Sequence, residues 1–428
     1  MKLEELTGQK WRADEISKFV FHFEPAKSAV KKNQKGRFEM GKKKKTKDPS
    51  PSSGKVAEKE FEVCFERSAL LNALRLVSLA AAKNSPKPVL ESVFIGVTGG
   101  EARIRATDLD VAVEVKLTCK SKDIGCVILP CTQLLQAVAR AEDDEVTIRW
   151  TEKYIELVTA DGLYQFYKTN SKEFPDSAFG FSVEKGYELK LAELQAATTK
   201  VLCAVSKEAT GYALNGMLCE FVAGGINLVA TNSRHLAKTF LKTGNLNKKS
   251  EAERVIVSRR AAQLLAHIEA EEDTVCRVEF TDNHIFMSTD KVYLAGLLLE
   301  GTFPKYADVI PVGCEHSITL DAAAVTRQVR RAKILEGDGE DFRNIIISSE
   351  NGRIEFEAEN QEVGKACMQL AIGEAKNGQG DFEIAVRSGY LLDALKTLGE
   401  FRLEVNDSDQ PLVLADDETV HVIMPVNI

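Results

Sequence analysis

The chain has 428 residues, 44% of them apolar and 28% charged, which predicts two or three folded domains and not a disordered polymer. A net charge of −8 argues against nucleic-acid adhesion through the surface as a whole, and no apolar run approaches the roughly 18 residues of a membrane span. No charged-then-apolar leader opens the sequence, and nine scattered cysteines without a C-x-x-C fit reduced thiols in a cytosol.

The charge is unevenly spread. Residues 1–60 hold 16 Lys/Arg against 9 Asp/Glu, and the remainder 40 against 55, so any nucleic-acid contact by the body needs a local basic face. Residues 41–55, GKKKKTKDPSPSSGK, have no apolar periodicity, and 1–60 is predicted to be a basic, largely mobile extension. Within it Phe19-Val20-Phe21-His22-Phe23 could be a short strand or a docking segment. The lysine run fits a solvated segment or a source of salt-sensitive phosphate contacts.

From Phe61 the elements repeat. A helix is predicted over Leu70 to Ala82, then a strand at Ser92–Val97. A second apolar-periodic helical segment opens at Ile128 and ends near Ala139, followed by a strand at Glu145–Arg149. The same series recurs as Leu191 to Val205, Ile226–Ala230, Ile256 to Ile268 and Val275–Glu279. It recurs again as Ala322 to Ile334, Asn344–Ser348, Ile384 to Leu398 and Phe401–Val405. Ile128, Ile256 and Ile384 are spaced 128 and 128 residues apart. Three copies of one unit follow, at 61–184, 185–312 and 313–428, each with helices on one face of mainly antiparallel sheet, an α+β arrangement.

The predicted helices carry cations against this acidic background. Lys200 and Lys207 return to one face if their helix continues that far, and Arg75 and Lys83 share a face more loosely. Arg259 and Arg260 open the second unit's later helix, while Arg327, Arg330, Arg331 and Lys333 crowd the third unit's first. One basic face per unit and ordinary solvated helix faces both fit this pattern.

Five ordered motifs carry a resemblance: Ala106-Thr107-Asp108-Leu109-Asp110, Leu214-Asn215-Gly216-Met217-Leu218, Ala230 to Ala237 (ATNSRHLA), Phe303-Pro304-Lys305-Tyr306 and Ile423-Met424-Pro425-Val426. From about Phe61 to Ile428 the chain resembles the bacterial DNA polymerase III beta subunit, the sliding clamp. The resemblance implies three DNA-clamp domains and a ring-forming homodimer around duplex DNA. It also implies loading by a clamp loader, partnership with the replicative polymerase and other clamp-binding-motif proteins, no cofactor or metal, and a cytoplasmic, nucleoid-associated location. Twelve evenly spaced helices at roughly 9 Å would put their axes on a circle about 34 Å across, leaving roughly 24 Å for a duplex. Held by encirclement, such a ring needs only weak phosphate contacts and no base readout.

By this resemblance the DNA-facing residues are Arg75, Lys83, Lys87, Lys200, Lys207, Arg259, Arg260 and Arg327. Asn84 stands where the family often has a basic residue, and Lys83 and Lys87 could substitute for it. A partner-peptide cleft between the second and third units would be walled by Leu214, Thr231, Ser233, Arg234, His235, Leu236, Pro304, Val309, Phe342, Tyr390 and Pro411, with the tail residues Val422, Ile423, Met424, Pro425, Val426 and Ile428. Asn232-Ser233-Arg234-His235 replaces the family's usual Asp-Gly-His-Arg, and Asp308 stands near the rim where a basic residue is common. Tyr164 and Phe166 of the first unit would meet Arg331, Ile334 and Leu335 of a second copy's third unit. Without the resemblance, most of the cleft positions read as ordinary core packing, and the subunit-contact positions read equally as an internal strand and a helix terminus.

No phosphate loop, zinc-protease helix, nucleophile elbow or dinucleotide fingerprint occurs. Cys126 and Cys131 lack nearby zinc partners, and the acidic run 336–341 does not match a calcium loop. The alternative from another class is a metal-dependent nuclease using Asp108 and Asp110. A third is a scaffold that binds nucleic acid only through residues 42–47.

Overall fold

The structure is a computed structural model that describes residues 61–426, apart from 122, 170–172, 180, 184–185, 209–211, 244–253, 270, 272, 337–343, 351 and 372–380. The basic extension, Phe342 and Ile428 lie outside the described residues.

The first unit runs β1 (Phe61–Glu66), α1 (Arg67–Ser78), β2 (Ser92–Thr98), β3 (Glu101–Thr107), β4 (Val111–Thr118), β5 (Ile124–Pro130), α2 (Cys131–Arg140), β6 (Glu145–Trp150), β7 (Tyr154–Thr159) and β8 (Gly162–Tyr167). The second repeats it as β9 (Tyr187–Lys190), α3 (Leu191–Leu202), β10 (Gly216–Val222), β11 (Gly225–Thr231), β12 (His235–Lys242), β13 (Arg254–Ser258), α4 (Arg259–Ala266), β14 (Val275–Phe280), β15 (His284–Ser288) and β16 (Val292–Leu297). The third follows as β17 (His316–Asp321), α5 (Ala322–Ala332), β18 (Asn344–Glu350), β19 (Arg353–Asn360), β20 (Gly364–Ala371), β21 (Phe382–Arg387), α6 (Ser388–Leu395), β22 (Glu400–Val405), β23 (Leu412–Ala415) and β24 (Thr419–Ile423).

Period-two burial builds the strands: in β1, Phe61, Val63 and Phe65 point inward while Glu62 and Glu66 stay exposed. Period-3.6 burial builds the helices: α1 buries Leu70, Leu71, Ala73, Leu74, Leu76 and Val77 and leaves Arg75 out. Ser258 caps α4 by accepting from the Ala261 N–H, and Asp321 caps α5 by accepting from the Ala324 N–H at 2.7 Å.

Each unit makes two four-stranded half-sheets, and successive units fuse them edge to edge. One eight-stranded sheet has the order β5-β2-β3-β4-β16-β15-β14-β9, and the other β13-β10-β11-β12-β24-β23-β22-β17. The first seam pairs β4 with β16 antiparallel through Val113↔Leu294 and Val115↔Val292; the second pairs β12 with β24 through Ala237↔His421 and Thr239↔Thr419. Two half-sheets remain four-stranded, β1-β6-β7-β8 in the first unit and β20-β19-β18-β21 in the third.

The helices cover one side of these sheets. α1, α3 and α5 pack on the equivalent strands β3/β4, β11/β12 and β19/β20, with α2, α4 and α6 beside them. The predicted helix ends need correction. α1 stops at Ser78 and not Ala82, because Leu79 and Ala80 donate to Leu76 and Val77 in a tightened last turn and Ala82 N–H then bonds Leu90. α3 stops at Leu202 and not Val205, because Ala204 N–H bonds back to Val201 and Ser206 N–H turns to Leu214. The later helices open at Cys131, Arg259 and Ser388, because the predicted openings Ile128, Ile256 and Ile384 belong to the strands β5, β13 and β21; α2 ends at Arg140, next to the expected Ala139, α4 and α6 end early at Ala266 and Leu395, and α5 passes into a short 3₁₀ turn at Lys333–Leu335.

Candidate nucleic-acid and partner interfaces

The helix ends separate several of the expected DNA-facing residues. Arg75 is exposed in the last turn of α1, but Lys83 and Lys87 stand in the loop beyond it. Lys207 lies past the end of α3 and cannot share a helical face with Lys200, whose Nζ is 3.4 Å from Glu418 in the turn before β24. Arg259 is half-buried at the start of α4.

Arg260, expected to face DNA, is exposed and engaged within the chain. Its guanidinium is 2.6 Å from the Asp108 carboxylate and donates to the Leu79 carbonyl at 2.9 Å, so it ties α4 to the first unit. The same contact accounts for Asp108. Its other oxygen accepts from the N–H groups of Asp110 and Val111 at 3.1 and 2.9 Å, closing a turn in which Leu109 has φ +83°. A carboxylate engaged by a turn and an arginine is not half of a metal pair with Asp110, and the nuclease alternative loses its ligand.

A basic groove lies on the third unit. Arg327, Arg330 and Arg331 of α5 and Lys396 just after α6 line an open groove of about 570 Å³. Arg331, expected at a subunit contact, lines this groove in the single chain, where it donates to Gln328 at 3.0 Å. Lys396, inside the predicted segment Ile384 to Leu398, is not among the expected DNA-facing residues; its Nζ is 2.7 Å from Asp393.

The expected peptide cleft divides across a sheet. Leu236 and Val422 face outward into a cluster with Leu218, Val229, Ile256, Phe303 and Tyr306. Alternation along β12 and β24 turns their neighbours His235 and Ile423 to the helix side, where the His235 ring is stacked 5.3 Å from His421 and lies tilted 5.6 Å from Tyr390. His235 and Tyr390 thus do not wall the same surface as Leu236. Around the outer cluster, Ser233, Arg234, Pro304, Val309 and Met424 are exposed; Leu214, Pro411, Pro425 and Val426 are half-buried; and Thr231 is buried. The tail is pinned by Met424 N–H to the Arg234 carbonyl and Val426 N–H to the Ala385 carbonyl.

Two details shape this surface. Asn232 Oδ1 accepts from the N–H groups of Arg234 and His235 at 3.0 and 2.8 Å, as Asp108 does in the equivalent turn of the first unit, so the amide serves where the family usually has a carboxylate. Ser233, standing where glycine is usual, takes φ +74°, a left-handed conformation costing a side chain about 1 kcal/mol. Beneath the outer cluster Glu220 is buried and accepts from Tyr306, Asn227 and Arg254. Burial would raise its carboxyl, but these donors outweigh burial and hold it below the usual range.

At the outer ends of the chain, β8 is an exposed edge carrying Tyr164 and, half-buried, Phe166, with Leu163 and Tyr167 also open to solvent. On the third unit, Ile334 is 78% exposed in the turn that packs on β19 and β20, and Leu335 is half-buried beside it.

Three copies of a sheet-backed helix pair, fused strand to strand, define the DNA-clamp class of fold. Family models of the DNA polymerase III beta subunit match in order: the N-terminal domain at 61–177, the central domain at 188–305 and the C-terminal domain at 307–427. A beta sliding clamp of Pseudomonas aeruginosa is 25% identical over 376 residues, spanning 85% of this chain and 99% of that one. One of Synechococcus elongatus is 24% identical over 379 residues, spanning 86% and 99%. Among solved structures, a sliding clamp from Bartonella birtlesii bound to griselimycin superposes with a TM-score of 0.76 at 25% identity, over 86% of this chain and all of that one. The chain belongs to the DNA polymerase III beta subunit family, the beta sliding clamps of DNA replication, and is a noncatalytic processivity subunit.

Proposed function

We propose that two copies close head to tail into a ring on duplex DNA, through clamp units bounded at 61–184, 185–312 and 313–428. The observation that carries this reading is the rule of the seams. The last strand of one unit's second half-sheet joins the last strand of the next unit's first half-sheet, β4 to β16 and then β12 to β24. The same step applied once more takes β20 to a strand in the position of β8, which only another copy can supply. Tyr164 and Phe166 would then meet Ile334 and Leu335 across a third sheet of the same design, with both edges covered.

Inside the ring, Arg75, Lys83, Lys87, Lys200, Lys207, Arg259 and the Arg327 groove would offer phosphates weak, sequence-independent contacts, enough to slide because encirclement supplies retention. The outer surface around Leu236, Val422, Val309, Pro304 and Met424 would take an apolar anchor of a clamp-binding peptide from the replicative polymerase or another partner, and a clamp loader would open the ring onto chromosomal DNA in the cytoplasm. No described helix is long and apolar enough to cross a membrane.

The test is retention. Loaded onto nicked circular DNA, the protein should stay bound through gel filtration at moderate salt and run off when the circle is cut once. Equal loss from circular and linear DNA would refute encirclement. Retention that disappears when residues 1–60 are removed would favour binding by the basic extension.

A further inference from the structure

The second seam contains a group of side chains that the clamp function leaves unused. Cys203, just past the end of α3, His235 of β12 and His421 of β24 each turn one ligand-type atom toward the others, all within 4.8 Å. Both histidines are fully buried, at 1% and 0% exposure. The fold does not impose polar residues here: the equivalent first seam is filled by Val113, Leu294, Val115 and Val292. We propose that Cys203, His235 and His421 form a binding site for a borderline-soft divalent metal, Zn²⁺ foremost, that joins the second and third clamp units.

The spacing suits such an ion. His235 Nε2 and His421 Nδ1 are 3.1 Å apart. Two imidazole nitrogens on one tetrahedral Zn²⁺, at about 2.0–2.1 Å each, lie roughly 3.3 Å from one another. Cys203 Sγ lies within 4.8 Å of both nitrogens and donates only to the Lys200 carbonyl at 3.5 Å, and ligation would require it to leave that carbonyl and move closer.

The surroundings supply the rest of the arrangement. Thr397 Oγ1 donates to the Ala394 carbonyl at 2.7 Å, so it accepts from His421 Nε2 at 2.8 Å and leaves the Nδ1 lone pair of His421 directed at His235. A hydrogen-bonded backing of this kind orients metal-ligating histidines.

Burial lowers the pKa of His235 to about 4 and of His421 to about 3, so both rings are neutral and carry lone pairs at physiological pH. Burial raises the Cys203 thiol to about 12. Binding therefore expels the thiol proton to solvent: the S–H bond breaks, a metal–thiolate bond forms, and two neutral imidazoles complete three ligands, with water in the fourth position. The Asp393 carboxylate acts electrostatically on both Cys203 and His235 and favours a cation there, against the opposing charges of Lys396 beside Cys203 and Lys200 beside His421.

Co²⁺ reports on the site directly. The full chain, stripped with chelator and titrated with Co²⁺, should give a thiolate charge-transfer band and the intense visible bands of a tetrahedral site, saturating at one equivalent per chain and bleached by Zn²⁺. Cys203→Ser should lose the charge-transfer band and weaken binding at least tenfold, with an unchanged circular dichroism spectrum in the absence of metal. Zn²⁺ should raise the thermal midpoint of the parent chain and not that of Cys203→Ser. Absence of stoichiometric binding by the parent, or the same bands in Cys203→Ser, would overturn the proposal. A Cys367→Ser control, which removes the exposed cysteine, should bind as the parent does.

Discussion

Replacing Ile334 by alanine should separate the two copies without unfolding either. The side chain is 78% exposed in the single chain, so its loss there should move stability by no more than about 0.5 kcal/mol. In a closed ring it would be buried against the neighbouring copy. Three carbons are removed at about 0.8 kcal/mol each, and scaling by the exposed fraction gives about 2 kcal/mol per seam. A ring of two copies has two such seams, so dimerisation should weaken by about 3–4 kcal/mol, or roughly 10²–10³-fold in dissociation constant. Sedimentation velocity over a dilution series reads that change, with Val312→Ala as the control because Val312 is 95% exposed in the linker before the third unit. A dissociation constant unchanged by Ile334→Ala, or shifted as far by Val312→Ala, would refute the seam rule as the basis of assembly.

Two other outcomes follow from the site. Arg327→Ala with Arg330→Ala should reduce the dependence of DNA binding on salt by about one unit in log–log slope for each phosphate no longer neutralised, measured by anisotropy across a salt series, and an unchanged slope would remove the α5 groove from the DNA path. Asp108→Ala should cost about 1–3 kcal/mol in urea denaturation because it frees two turn N–H groups and the Arg260 partner, whereas Asp108→Asn, which keeps the turn acceptor, should cost only about 0.5–1 kcal/mol. Parental nuclease turnover with Mg²⁺ that Asp108→Ala abolished at undiminished stability would reinstate the catalytic alternative.

The threefold repeat and the α+β class were legible because apolar period and strand pattern recur 128 residues apart at Ile128, Ile256 and Ile384. Helix ends were not, since no Gly or Pro follows Ser78 or Leu202 within three residues and the chain turns away through backbone hydrogen bonds alone. Lys83 and Lys207 could share a helical face with Arg75 and Lys200 only if those helices ran on past Ala82 and Val205, and they end earlier. The partner of Arg260 was invisible because Asp108 lies in another unit, and a cation tied to a carboxylate looks in sequence like a free one. Residues of the outer cleft were legible as a set, but the pleat sends His235 and Leu236 to opposite sides, and only the register of β12 with β24 shows which goes where.

The two seams within the chain differ in mechanical character. Val111, Val113 and Val115 join Val292 and Leu294 in one apolar core that runs unbroken through the first two units, while the third keeps a core of its own. The helix side of the second seam is instead a ladder of Thr239, Thr419, His235 and His421. The third unit is therefore held to the second by strand pairing, by this polar ladder and by the outer cluster of Leu236 with Val422, with no core continuous across the helix side.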